Sequence, residues 1–119
     1  KVTFEGDLDF RNWVFDFGGM KRAKSKIDGM QPKAWIDYLL DHTVIMAEDD
    51  PQLEVFKKLD EEGACQLRVL PNVGAEKFAE YLFDKLQPFV DFETEGRVKI
   101  TKIKFMEHAK NSATYINVN

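Results

Sequence analysis

The sequence predicts an α+β domain, an antiparallel sheet with helices on one face. Two periodicities carry this reading. Apolar residues alternate at Val2 and Phe4 and again from Val98 onward, whereas Phe78, Ala79, Leu82, Phe83 and Leu86 follow a helical spacing. The third observation is the order: strand, helices, then a two-strand hairpin, with no repeat and no linker. Residues 1–119 therefore form a single domain.

The elements follow in order. Val2 and Phe4 alternate with Lys1, Thr3 and Glu5, a half-buried strand, and Gly6 to Asp9 read as a turn. Trp13 to Phe17 are apolar and aromatic, either strand or buried loop, and Gly18-Gly19 breaks them. Met20, Ala23, Ile27 and Met30 are spaced as an amphipathic helix that Gly29 and Pro32 end or kink. A second short helix carries Trp35, Ile36, Leu39 and Leu40. Asp50-Pro51 is a helix start, Leu53, Phe56 and Leu59 give that helix its stripe, and Gly63 stops it.

Gln66 to Leu70 read as a short strand with Leu67 and Val69 on one face. The strongest helix, over Phe78–Leu86, is expected to end at Pro88. Val98 and Ile100 alternate, and Ile103 and Phe105 resume one position out of phase, which predicts a bulge near Thr101-Lys102. Thr114, Ile116 and Val118 mark the last strand of a 98–118 hairpin.

Composition excludes several classes. Hydrophobic residues at 44% and charged residues at 32% are a globular balance, and ten Phe, three Tyr and two Trp supply a core. No window approaches the roughly 18 apolar residues of a membrane helix. Seventeen basic against 21 acidic residues, a net charge of -4, disfavour a nucleic-acid backbone binder. The lone Cys65 excludes an intrachain disulfide and points to a reducing, cytoplasmic compartment.

Few residues carry chemistry. In Asp41-His42 the carboxylate could orient the ring or raise its pKa for acid/base work; the alternative is a helix-terminal His facing the last carbonyls. Glu107, before His108 at a strand end, can accept paired hydrogen bonds from an amidine-like edge such as guanine or pterin presents; the alternative is a surface acid. His42, His108 and Cys65 match no zinc spacing. Glu48-Asp49-Asp50 reads as helix capping rather than a cation loop. Gly18-Gly19 lacks the Lys-Ser/Thr of a phosphate loop.

Taken in order, several segments resemble the 6-pyruvoyl-tetrahydropterin synthase / 6-carboxytetrahydropterin synthase family. They are Phe4 to Asp9, Val14-Phe15-Asp16-Phe17-Gly18-Gly19-Met20-Lys21, Leu40-Asp41-His42, Gly74 to Tyr81, Val98 to Phe105, and Glu107 with Ser112-Ala113-Thr114-Tyr115. Extra residues interrupt the likeness at about 24–34 and 46–70.

The resemblance implies the tunnelling fold: a four-stranded antiparallel sheet, its first strand before Lys1, and subunits joined edge to edge as a homo-oligomer, usually a hexamer. It implies conversion of 7,8-dihydroneopterin triphosphate to 6-carboxytetrahydropterin, the branch feeding deazaguanine (queuosine) synthesis, or to 6-pyruvoyltetrahydropterin, with loss of triphosphate. It places acid/base work on Asp41 and His42 and pterin anchoring on Glu107, with Glu76 as a further substrate contact. Zinc is the implied cofactor, its His ligands and the base Cys expected upstream of Lys1 and none in this chain. The sequence departs from the family at Gly74, where a Thr is usual, and at Ile45-Met46, where Leu-Asn is usual. Other readings are a non-catalytic pterin- or purine-binding homologue and a structural oligomer.

Overall fold

The computed structural model describes residues 1–18, 25–108 (the side chain of His108 excepted) and 110–118. Alternation at the start makes β1 (Val2–Gly6). There follow α1 (Pro32–Leu40), β2 (Val44–Ala47), α2 (Leu53–Glu61), β3 (Leu67–Leu70), α3 (Ala75–Thr94), β4 (Val98–His108) and β5 (Asn111–Ile116). β4 is the centre of a three-stranded antiparallel sheet of order β1-β4-β5. The described sheet has three strands, one fewer than the resemblance implies.

The phase slip in β4 is a bulge, as its alternation predicts. Thr3 pairs with Lys102 and Phe4 with Ile100, leaving Thr101 as the extra residue. It restores the inward phase, so Val98, Ile100 and Ile103 are 0%, 0% and 1% exposed under α3. Burying each such side chain is worth about 1.5–3 kcal/mol. On the other face Lys99, Lys102 and Lys104 are exposed.

β5 stops opposite Lys102, and polar groups complete the ladder beyond it. The Gln87 side-chain oxygen accepts from the Ile100 amide at 2.8 Å, and the Asn117 side chain donates to the Ile100 carbonyl at 3.0 Å. The inward residues of β5 are Ala113 and Tyr115, the latter 4.8 Å from the Phe83 ring. Ile116 points out at 62% exposure, and Val118 lies past the strand.

Helix α3 does not end at Pro88 but runs on to Thr94. Pro88 forfeits a hydrogen bond and crowds the carbonyl one turn back, at a cost of about 3 kcal/mol. The stripe outweighs this: Phe89 and Val90, just beyond the proline, are 4% and 1% exposed. The true stop is Glu95-Gly96, both at positive φ, with the Gly96 amide donating to the Asp91 carbonyl.

The helix expected over Met20–Met30 is corrected where it is described. Ile27 and Met30 bridge each other across a turn with Asp28 at φ 49° and Gly29 at φ 80°. Asp-Gly favours this double positive-φ turn, which overrides the helical spacing. Met20 and Ala23 lie outside the described residues. Pro32, instead of ending a helix, occupies the first turn of α1. Trp35 is buried against Tyr81, and its indole N–H donates to Asp28. Trp13 to Phe17 form loop, with Phe15 buried on Phe4.

The stretch 46–70 also differs from expectation. β2 and β3 pair in parallel, Val44 opposite Leu67 through Ala47 opposite Leu70, with α2 as the crossover. One face, with Ile45 and Leu70, joins the main core, while buried Met46 on the other lies outside it. Residues 46–70 hold seven Asp or Glu against three Lys or Arg, a net charge equal to the chain's own -4. Among the described residues no helix is long and apolar enough to cross a membrane.

The accounting for α3 yields a stability test. Pro88→Ala restores the missing hydrogen bond at an exposed position. It should stabilise the fold by about 1–3 kcal/mol, read as a higher urea midpoint at unchanged slope.

Candidate functional site

Asp41 and His42 sit where α1 ends. The Asp41 amide still donates to the Asp37 carbonyl, but the backbone then turns, with His42 at φ 55°. A non-glycine residue in that region costs on the order of 1 kcal/mol or more. The Thr43 hydroxyl fastens the turn by donating to the Leu39 carbonyl at 2.7 Å. The result brings sequence neighbours face to face: His42 Nδ1 lies 2.8 Å from Asp41 Oδ1. A proton on Nδ1 donated to the carboxylate leaves Nε2 as the free lone pair. The His42 side chain is 88% exposed, so the pair is formed and open to solvent.

Glu107 occupies a second irregularity. Met106 pairs with Ser112 and His108 with Asn111, so Glu107 is bulged out of the β4–β5 ladder at its turn end. Its carboxylate is exposed and accepts a hydrogen bond from the Asn111 side-chain amide. The Phe105 ring lies 5.2 Å from Phe78, which sets the start of α3 beside this end of β4. Glu76 is exposed in that first turn. The preceding Gly74 has φ 110°, a conformation that disfavours the Thr usual in the family.

Glu76 and Glu107 thus lie toward one end of the sheet. Among the described residues no hydrogen bond, ion pair or ring contact joins either to Asp41 or His42. Clefts of about 740 and 580 Å³ open instead beside the loop after β1. Sequence reasoning passed over this loop, although Asp9 organises it. The Asp9 carboxylate accepts the amides of Arg11 at 2.8 Å and Trp13 at 3.1 Å, and Arg11 lies over the Trp13 ring. Desolvation pushes the Asp9 carboxyl up, but the Trp13 and Arg11 amides and the Arg11 guanidinium outweigh it and hold it below its ordinary value. An Asp two residues before Arg11 and four before Trp13 was the available signal.

Among the described residues the side chains do not fit a zinc centre. Among the described residues no three His, Cys, Asp or Glu side chains converge. The chain has two His and one Cys, and Cys65 lies half-buried with its Sγ 3.9 Å from the Phe56 carbonyl. The His108 side chain lies outside the described residues.

Comparison with known proteins adds three findings. The crystal structure of an uncharacterized protein from Wolinella succinogenes superposes with a TM-score of 0.73 at 20% identity, covering 98% of this chain and 74% of that one. That likeness speaks to the fold, the α+β architecture with its antiparallel sheet. A search of the curated proteins finds no match. The sequence profile of 6-pyruvoyl tetrahydropterin synthase matches residues 1–117. With nearly the whole chain matched, the protein belongs to the 6-pyruvoyl tetrahydropterin synthase family, whose chemistry is that of pterin-related lyases.

Proposed function

We propose that this chain supplies the pterin-anchoring and proton-transfer groups of a synthase that acts on 7,8-dihydroneopterin triphosphate. The product is 6-carboxytetrahydropterin or 6-pyruvoyltetrahydropterin, with loss of triphosphate. The observation that carries this reading is the Asp41–His42 pair, closed at 2.8 Å and open to solvent at Nε2. In this role Asp41 holds the ring and Nε2 exchanges a proton with the substrate side chain, work worth about 10²–10⁴ in rate. Glu107, oriented by Asn111, accepts two N–H groups from the pterin edge, and Glu76 is a further contact.

Asp41–His42 and Glu107 are not in contact within one chain, so the reading takes them from different copies of a homo-oligomer, a hexamer in the family's pattern. Among the described residues β1 and β5 are the outer strands of the sheet, and an outer strand pairs readily with another chain. A cytoplasmic setting goes with the same reading. A second reading is a pterin or purine binder without chemistry, supported by Glu107, which is held out of its ladder with its carboxylate exposed.

Three outcomes are expected. Glu107→Gln should weaken pterin binding about ten- to a hundredfold, or 1.4–2.8 kcal/mol, by calorimetry; unchanged affinity would remove the anchor role. His42→Ala should fold and bind pterin as before while turnover falls by about 10²–10⁴, whereas the non-catalytic reading expects no turnover in either protein. Light scattering at micromolar concentration should give the mass of an oligomer, and a monomer would overturn the shared site.

A further inference from the structure

The end of α1 is built without the usual means of stopping a helix. No glycine follows its last turn and no basic residue lies within that turn, yet the chain leaves through the left-handed conformation of His42. The last four carbonyls of a helix have no partner inside it. Three of those four are taken up here. The Asp41 amide donates to the Asp37 carbonyl, the Thr43 hydroxyl to the Leu39 carbonyl at 2.7 Å, and Arg68 Nε to the Tyr38 carbonyl at 2.9 Å.

Arg68 reaches α1 from far along the chain. It lies on β3 opposite Ile45 of β2, on the face that Ile45 and Leu70 turn to the main core. Its guanidinium is fixed from two further sides. It lies over the Tyr38 ring, 3.7 Å from the centroid, and Nη1 donates to the Leu67 carbonyl at 3.0 Å. A planar guanidinium can serve several acceptors in one fixed geometry, which a lysine ammonium does not. A cation here also answers the negative end of the helix dipole. Arg68 belongs to the stretch 46–70, which interrupts the likeness to the family.

We propose that the β2–α2–β3 unit positions the His42 imidazole, with Arg68 and Thr43 as the positioning residues. Their hydrogen bonds to the consecutive carbonyls of Tyr38 and Leu39 fix the direction in which α1 ends, and with it the backbone turn at His42. That turn sets Nδ1 against Asp41 Oδ1 at 2.8 Å, although the side chain is 88% exposed and forms no other hydrogen bond among the described residues. An exposed imidazole left to itself favours the proton on Nε2. A carboxylate held against Nδ1 reverses this and makes Nε2 the basic atom. The effect on rate rests on the proton-transfer role proposed for His42, whereas the placement of the ring rests on the geometry alone.

The ring nitrogens report this placement without substrate. In the full chain, isotopically labelled and held at a pH where the imidazoles are neutral, the nitrogen resonances lost in His42→Ala should show the proton on Nδ1. Thr43→Val and Arg68→Met should move them toward the Nε2–H form. Thr43→Ser, which keeps the hydroxyl, and Lys57→Gln on α2 should match the parent. With 7,8-dihydroneopterin triphosphate as substrate, Thr43→Val and Arg68→Met should lower kcat about ten- to a hundredfold at unchanged KM, the cost of a misplaced catalytic group. A parent ring protonated on Nε2 would overturn the proposal. So would an unchanged nitrogen pattern in both variants beside a lower melting temperature, since the contacts would then only hold the fold. A shifted pattern in variants of a parent without turnover would support the positioning and count against the synthase reading instead. Where Arg68→Met does not fold, the contrast of Thr43→Val with Thr43→Ser decides.

Discussion

One extra residue, Thr101, decides which way everything on β4 faces. A strand alternates strictly, so a one-residue slip exchanges its two faces. Without the bulge, burying Val98 and Ile100 would turn Ile103 outward and Lys102 inward. With it, three aliphatic side chains reach the core under α3, and the lysines stay in water. The β1 pairing and the seating of α3 depend on that correction, because both pack against the inward face of β4.

The functional candidates share a physical trait. His42 is held in the left-handed region and Glu107 is bulged out of its ladder, so neither side chain is spent on secondary structure. Backbone irregularity of this kind costs stability and is kept where a side chain must be presented. In both cases a neighbour steadies the group: Asp41 beside the imidazole, and Asn111 beside the carboxylate. The two lie on different elements, α1 and the β4–β5 turn, and no described contact joins them.

What could be read in the sequence was whatever depended on local pattern. The phase slip at Ile103 and Phe105 disclosed the bulge, and the Trp35–Leu40 stripe disclosed α1. Pro88 misled because its local penalty is real but smaller than the burial of Phe89 and Val90, which is visible only in the packed molecule. Ile27 and Met30 misled in the opposite sense, since an Asp-Gly turn reproduces a spacing of three without a helix. β2 was missed because four apolar residues carry no period, and their partner Leu67–Leu70 lies beyond α2. For the site, the residue types at Asp41, His42, Glu76 and Glu107 were legible. Whether Asp41 and His42 face each other was not, because it turns on the sign of one φ angle.

The pairing of Val2 with Ile103 joins residues nearly a chain length apart. On folding, β1 has to find β4 across the whole helical part of the chain. In the interval Val2, Phe4 and Phe15 have no sheet to cover, and closing so long a loop is slow. The α3–β4–β5 segment is contiguous and can form by local contacts, so it is the natural nucleus on which β1 docks last. Until then Val2, Phe4 and Phe15 are apolar residues exposed to premature association, a burden that falls on chaperones rather than on the finished fold.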